Sequence, residues 1–123
     1  MKTTKILFWI ATGLLSLLLL MSAGMYIFDH KTVSEMFVNF GYPTYIIYPL
    51  AFAKLSAVVV LVLQNKSKTL SSLKEWAYSA LFFEFLLAIF AHVMINDGGQ
   101  IAAIMAMILL LTSYITLQKT KTK

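Results

Sequence analysis

The chain has 123 residues; 60% belong to the apolar set that leaves glycine out, only 12% are charged, and the formal net charge is +5. A soluble domain runs nearer half apolar and a quarter charged, so this composition argues against a water-soluble fold, while nine Phe, six Tyr, two Trp and a mean hydropathy of +0.83 exclude disorder. The absence of cysteine removes disulfides, thiol relays, zinc-thiolate sites and iron-sulfur clusters.

In chain order, residues 6–28 carry no formal charge over 23 positions and form the first predicted span, long enough for a hydrocarbon core of about 30 Å at 1.5 Å per residue. Lys2 and Lys5 before it, with Ser22, Ala23 and Gly24 behind, also give this segment features of a signal peptide. Its apolar stretch continues into Met25 to Phe28, longer than a signal core, which favours a retained helix.

Residues 32–40 read as a short amphipathic helix. Thr32 and Glu35 have capping-box spacing, Val33, Met36, Phe37 and Phe40 share one face, and Gly41 stands where a C-terminal cap is expected. Such a helix would lie along the outer interface or fold over the bundle mouth. Pro43 suits a first helical turn, whereas Pro49 predicts a kink or a helix start near Tyr48.

The second and third spans, 45–63 and 76–95, contain Lys54 and Glu84. A central charge costs about 2.5 to 3.5 kcal/mol on the insertion scale, which the surrounding Leu, Ile, Val and Phe residues offset. Asn96, Asp97, Gly98 and Gly99 make a turn in which Asp97 is expected to be solvated, and 98–118 is the fourth span. The result is an all-α, four-helix transmembrane bundle in a single domain, 1–123.

The ten lysines, with no arginine beside them, are placed as topology signals rather than as a nucleic-acid face. The N-terminus, the predicted 64–74 loop and the C-terminal tail hold eight of them, and the other two loops hold only Lys31. Both termini are therefore expected to be cytoplasmic. Tyr26, Tyr42, Tyr45 and Tyr48 would then form an outer aromatic belt, with Trp9 and Trp76 near the inner boundary.

Lys54 lies nine residues before Leu63 and Glu84 eight after Trp76, on helices joined by a short loop. Both reach a depth of about 12 to 14 Å from the helix ends, so an ion pair is expected. Ala77, Ala80, Ala88 and Ala91 share a face with Glu84, and Ala51 and Ala57 flank Lys54. Gly99, Ala102, Ala103 and Ala106 repeat the pattern, which predicts a small-residue, partly polar core with Leu and Phe facing lipid. The pair can fix helix register without touching a ligand, or form part of a ligand or proton site; Lys54 can also snorkel. His92, two turns beyond Glu84 and roughly 80° around the helix, is either an interfacial hydrogen-bonding residue or a member of the same polar site.

The Gly41-Tyr42-Pro43 turn, Lys54, the Lys74-Glu75-Trp76-Ala77-Tyr78 stretch, Glu84 and Ala91-His92 before an Asp-Gly turn resemble the DoxX-like family of small four-helix membrane proteins. The resemblance covers nearly the whole chain, most clearly Gly41 to Gly98. It implies a bundle in a bacterial cytoplasmic membrane and, through more distant DoxX and DoxD relatives, an association with membrane redox systems such as thiosulfate:quinone oxidoreduction. Glu75 is expected in the first turn of its span, favoured by the helix dipole, with Trp76 and Tyr78 as headgroup anchors.

The leading functional expectation is a non-catalytic protein, with no cofactor held by its own ligands, that binds a small amphiphile such as a quinone or lipid. A partner subunit of a membrane redox system, or a second copy of the chain, are the other candidate partners besides the bilayer. A proton-coupled small transporter using Lys54, Glu84 and His92 is the alternative, although small multidrug exporters carry their acidic residue in the first helix and this first span has none. An enzyme comes third, because no nucleophile-base arrangement, phosphate loop or metal-ligand spacing is present.

Overall fold

The computed structural model describes residues 2–64, 67–96 and 98–121. Among them are five α-helices: α1 (Lys2–Phe28), α2 (His30–Phe40), α3 (Ile47–Val62), α4 (Lys68–Ile95) and α5 (Gln100–Lys121), with a 3-10 turn at Thr44–Ile46 before α3. Lys2–Phe28, Thr44–Val62, Lys68–Ile95 and Gln100–Thr120 are each long and apolar enough to cross a membrane. The chain is an all-α integral membrane protein.

The central helix is α1, which packs most extensively against α5 and α3; α4 packs chiefly on α5, and α3 meets α4 over the least contact of the four neighbouring spans. The buried positions of α1, Phe8, Ala11, Thr12, Leu15, Ser16, Leu19 and Ala23, recur every three to four residues and form one continuous stripe. Thr12 in the first half of α1 meets Ser113 in the second half of α5, and Phe8 and Leu117, nearer the two chain ends, share one core cluster, so the two ends of the described chain share one end of the bundle. We refer to this as the lysine-rich end.

The core departs from the small-residue expectation. Phe8, Leu15, Leu19, Leu61, Tyr78, Leu81, Phe85, Leu110 and Leu117 dominate it, with Ala57 and Ala106. Ala51, Ala57 and Ala91 are buried as expected, but Ala80 and Ala102 are exposed. Interleaved large side chains fill a four-helix interior, and small residues are required only where two backbones approach closely.

Two helix starts differ from the sequence reading. α4 begins at Lys68 rather than near Trp76, because Ser67 caps it: its Oγ accepts from the backbone N–H of Thr69 and Leu70. The predicted 64–74 loop is therefore mostly helix. Lys74, counted there as a topology signal, is buried and donates from Nζ to the Leu61 carbonyl at 3.0 Å, satisfying an acceptor of the last α3 turn. α2 starts at His30, one residue after Asp29, and Thr32 is inside it donating to Asp29 Oδ1 at 2.9 Å, so the Thr32–Glu35 capping box does not form.

The end of α2 follows the sequence. Gly41 is left-handed at φ 81°, its N–H and that of Tyr42 reach back to Val38 and Phe37, and the Phe37 and Tyr42 rings pack edge to face. Pro43 is extended, and α3 starts at Ile47, so Pro49 occupies the first turn, where its missing N–H breaks no hydrogen bond. Val33 and Phe37 of α2 are buried with Ile47, whereas Met36 stays partly exposed. Asp97, expected to be solvated, lies outside the described residues.

Candidate functional site

Three polar features are built into the apolar bundle. The first is the expected ion pair: Lys54 Nζ lies 2.9 Å from Glu84 Oε1. Lys54 is buried on the face of α3 flanked by Ala51 and Ala57, where small neighbours leave its long stem room to lie along the helix interface. Its ammonium also donates to Ser22 Oγ at 2.7 Å and sits 4.4 Å from the centre of the Tyr26 ring. Tyr26 is thus turned inward over Lys54 instead of joining the aromatic belt, and it packs edge to face on Phe37 of α2. Tyr45 and Tyr48 do face outward.

The second feature joins three helices. Ser113 Oγ lies 2.6 Å from Thr12 Oγ1 and 2.6 Å from Tyr78 Oη, linking α5 to α1 and α4 through shared hydroxyl protons. Tyr78 is 4% exposed, so it is a core residue rather than a headgroup anchor. One turn along α1, the Ser16 hydroxyl is buried with no hydrogen-bond partner among the described residues.

The third is a groove between α4 and α5, of about 270 Å³, lined by Glu75, Tyr78, Ser79, Phe82, Phe83, Leu110, Leu111 and Tyr114. Glu75 lies seven residues into α4, two turns beyond the position where its charge would feel the helix dipole. Its carboxylate is held instead by α5: Tyr114 Oη donates to Oε1 at 2.9 Å and Gln118 Nε2 to Oε2 at 3.4 Å. From Glu75 and Tyr114, the groove runs away from the lysine-rich end toward Phe82, Phe83, Leu110 and Leu111, about 12 Å along the helices. Its polar end is formed by a carboxylate and hydroxyls, and the rest is apolar. Trp76, next to Glu75 on α4, is exposed.

His92 stands apart from these. Its ring packs edge to face on Phe40 at 4.9 Å and lies so close to Gly99 that a Cβ there would overlap it, which fixes it between α2 and the α4–α5 turn. Tyr42 donates to the Leu87 carbonyl at 3.2 Å and so ties the Gly41-Tyr42-Pro43 turn onto α4. Sequence reasoning missed Thr12, Ser22, Ser113 and Tyr114. Isolated hydroxyls within otherwise apolar spans were the available signal, because in hydrocarbon each must find a partner. Among the described residues, no group of three or more His, Asp or Glu could hold a metal ion.

The sequence profile of the DoxX-like family matches residues 10–115. This chain belongs to the DoxX-like family. The matched region of this DoxX-like chain contains Lys54 and Glu84, the Thr12–Ser113–Tyr78 hydroxyls, and Glu75 with Tyr114. No curated protein and no solved structure matches the chain significantly.

Proposed function

We propose that this DoxX-like protein is a non-catalytic binder of a small amphiphile, a quinone or a lipid, in the bacterial cytoplasmic membrane, with both termini cytoplasmic and α2 on the outer side. The observation that carries the reading is the α4–α5 groove, polar at the Glu75–Tyr114 end and apolar beyond it. An amphiphile has the same division, and a site at the interface lets its head stay near water while its tail remains in hydrocarbon. The volume of about 270 Å³ is close to the lower bound of about 300 Å³ for small-molecule sites. It suits a head and the first part of a chain.

On this reading Lys54 and Glu84 serve the bundle. The ammonium already has Glu84, Ser22 and Tyr26 around it, which favours a helix-registering role over a titrating transport site. The experiment is extraction and mass spectrometry of amphiphiles retained by purified protein, compared with Ser79→Trp, which places an indole in the groove from an exposed position. Retention by the wild type and its loss in a normally folded Ser79→Trp protein are expected. Absence of any retained quinone or lipid, or equal retention by the variant, overturns the reading.

A further inference from the structure

We infer that the groove between α4 and α5 selects amphiphiles whose headgroup carries a protonated amine, and that Glu75 is the residue that reads it. This rests on the amphiphile reading above and adds the head chemistry.

The two carboxylates within the spans are balanced differently. Glu84 faces the Lys54 ammonium at 2.9 Å. The described partners of Glu75 are both neutral donors, the Tyr114 phenol and the Gln118 amide. They orient the carboxylate without cancelling its charge. An ionised carboxylate accepts about four hydrogen bonds, and these two donors leave about half that capacity.

Glu75 also lines the groove itself, together with Ser79, while the walls beyond are Phe82, Phe83, Leu110 and Leu111. A group entering here leaves bulk water and meets a fixed negative charge beside an apolar wall. An ammonium head supplies three donors and the missing positive charge. A hydroxyl or quinol head supplies a donor but no compensating charge, and a quinone carbonyl or a phosphate monoester meets the carboxylate acceptor to acceptor. The groove therefore favours an amine head over neutral and anionic ones, and the apolar walls require that head to carry a chain.

Two sources offer this chemistry, an aminophospholipid and a simple long-chain amine. The test is native mass spectrometry of the full chain in neutral detergent, titrated separately with phosphatidylethanolamine, phosphatidylglycerol, dodecylamine and dodecanol. Hydrogen bonds to charged groups are typically strong enough that a preference of about tenfold or more for an amine head over the head matched to it is expected. Binding of phosphatidylethanolamine alone assigns an aminophospholipid, and binding of dodecylamine as well assigns the amine itself.

Glu75→Gln keeps the acceptor for Tyr114 and removes the charge, so it should bring amine-headed and other ligands to equal affinity while leaving tail-driven binding in place. Tyr114→Phe keeps the charge and should keep the preference. Equal binding of phosphatidylethanolamine and phosphatidylglycerol by the wild type, or a preference that survives Glu75→Gln, overturns the assignment while the amphiphile reading stands. Failure of the wild type to bind any of the four overturns this assignment and the lipid form of the amphiphile reading, leaving the quinone form to the extraction experiment.

Discussion

Lys54 Nζ and Glu84 Oε1 meet at 2.9 Å across the α3–α4 contact, the slightest among the neighbouring spans. Apolar packing holds α1 to its neighbours, whereas polar bonds contribute much of what joins α3 to α4: this pair near mid-depth, and Lys74 on the Leu61 carbonyl nearer the lysine-rich end. An interface with little packing depends more on each directed contact, because removing one leaves an uncompensated polar group in a low-dielectric setting.

Lys54→Glu and Glu84→Lys should each destabilise the bundle strongly, by about 3 to 5 kcal/mol, since each places like charges together inside it. The double exchange should recover part of the loss but not all, because Ser22 and Tyr26 are placed to receive an ammonium from α3 and not a carboxylate. Thermal unfolding of the four proteins in detergent measures the coupling. Two normally stable singles would show that the pair contributes nothing to the fold.

The hydroxyls of α1 and α5 should respond in opposite directions to the same small substitution. Ser113→Ala deletes two hydrogen bonds and leaves Thr12 and Tyr78 only each other as partners, whereas Tyr78→Phe keeps the Thr12–Ser113 bond. Intramembrane side-chain hydrogen bonds average about 0.6 kcal/mol with a maximum near 1.7, so Ser113→Ala should lower stability by roughly 1 to 3 kcal/mol and Tyr78→Phe by less. Ser16→Ala, which removes a buried hydroxyl without a described partner, should be neutral or stabilising. Unfolding midpoints that rank Ser16→Ala as the most damaging would contradict this ordering.

What the sequence makes legible here is whatever depends on period and depth. Lys54 and Glu84 are found by counting residues from span ends, and Gly41 by its position after an amphipathic run, because helix rise and cap geometry are local. Boundaries set by one hydrogen bond are harder: Ser67 caps α4 eight residues before the apolar run suggests, carrying Glu75 out of the first turn. Facing across helices is harder still. Tyr78 resembles an interfacial anchor in sequence, yet Ser113 and Thr12 on two distant segments draw its hydroxyl into the core. The Glu75–Tyr114 contact spans 39 positions and carries no periodic signal at all.

Gly99→Ala should strain the α4–α5 turn for a reason that is steric and not conformational. A Cβ at Gly99 would overlap the His92 ring, against which Phe40 also packs. Overpacking of this kind costs about 1 to 3 kcal/mol. Adding His92→Ala removes the ring and should make Gly99→Ala nearly neutral in that background. Additive losses in the double variant would show that the close approach is not what constrains Gly99.

The orientation we propose can be tested directly because the chain has no cysteine of its own. Asn39 on α2 and Ser72 on α4 are both exposed and lie at opposite ends of the bundle, Ser72 at the lysine-rich end. Among the described residues, Lys2, Lys5, Lys68 and Lys119 belong to the helix segments at that end, and the positive-inside bias holds even with Lys74 turned inward. In intact bacterial cells or right-side-out spheroplasts, Asn39→Cys should therefore react with a membrane-impermeant maleimide, and Ser72→Cys should react only after permeabilisation. The reverse pattern would place the lysine-rich end outside, and with it the Glu75 end of the groove, so that the amphiphile would have to enter from the opposite leaflet.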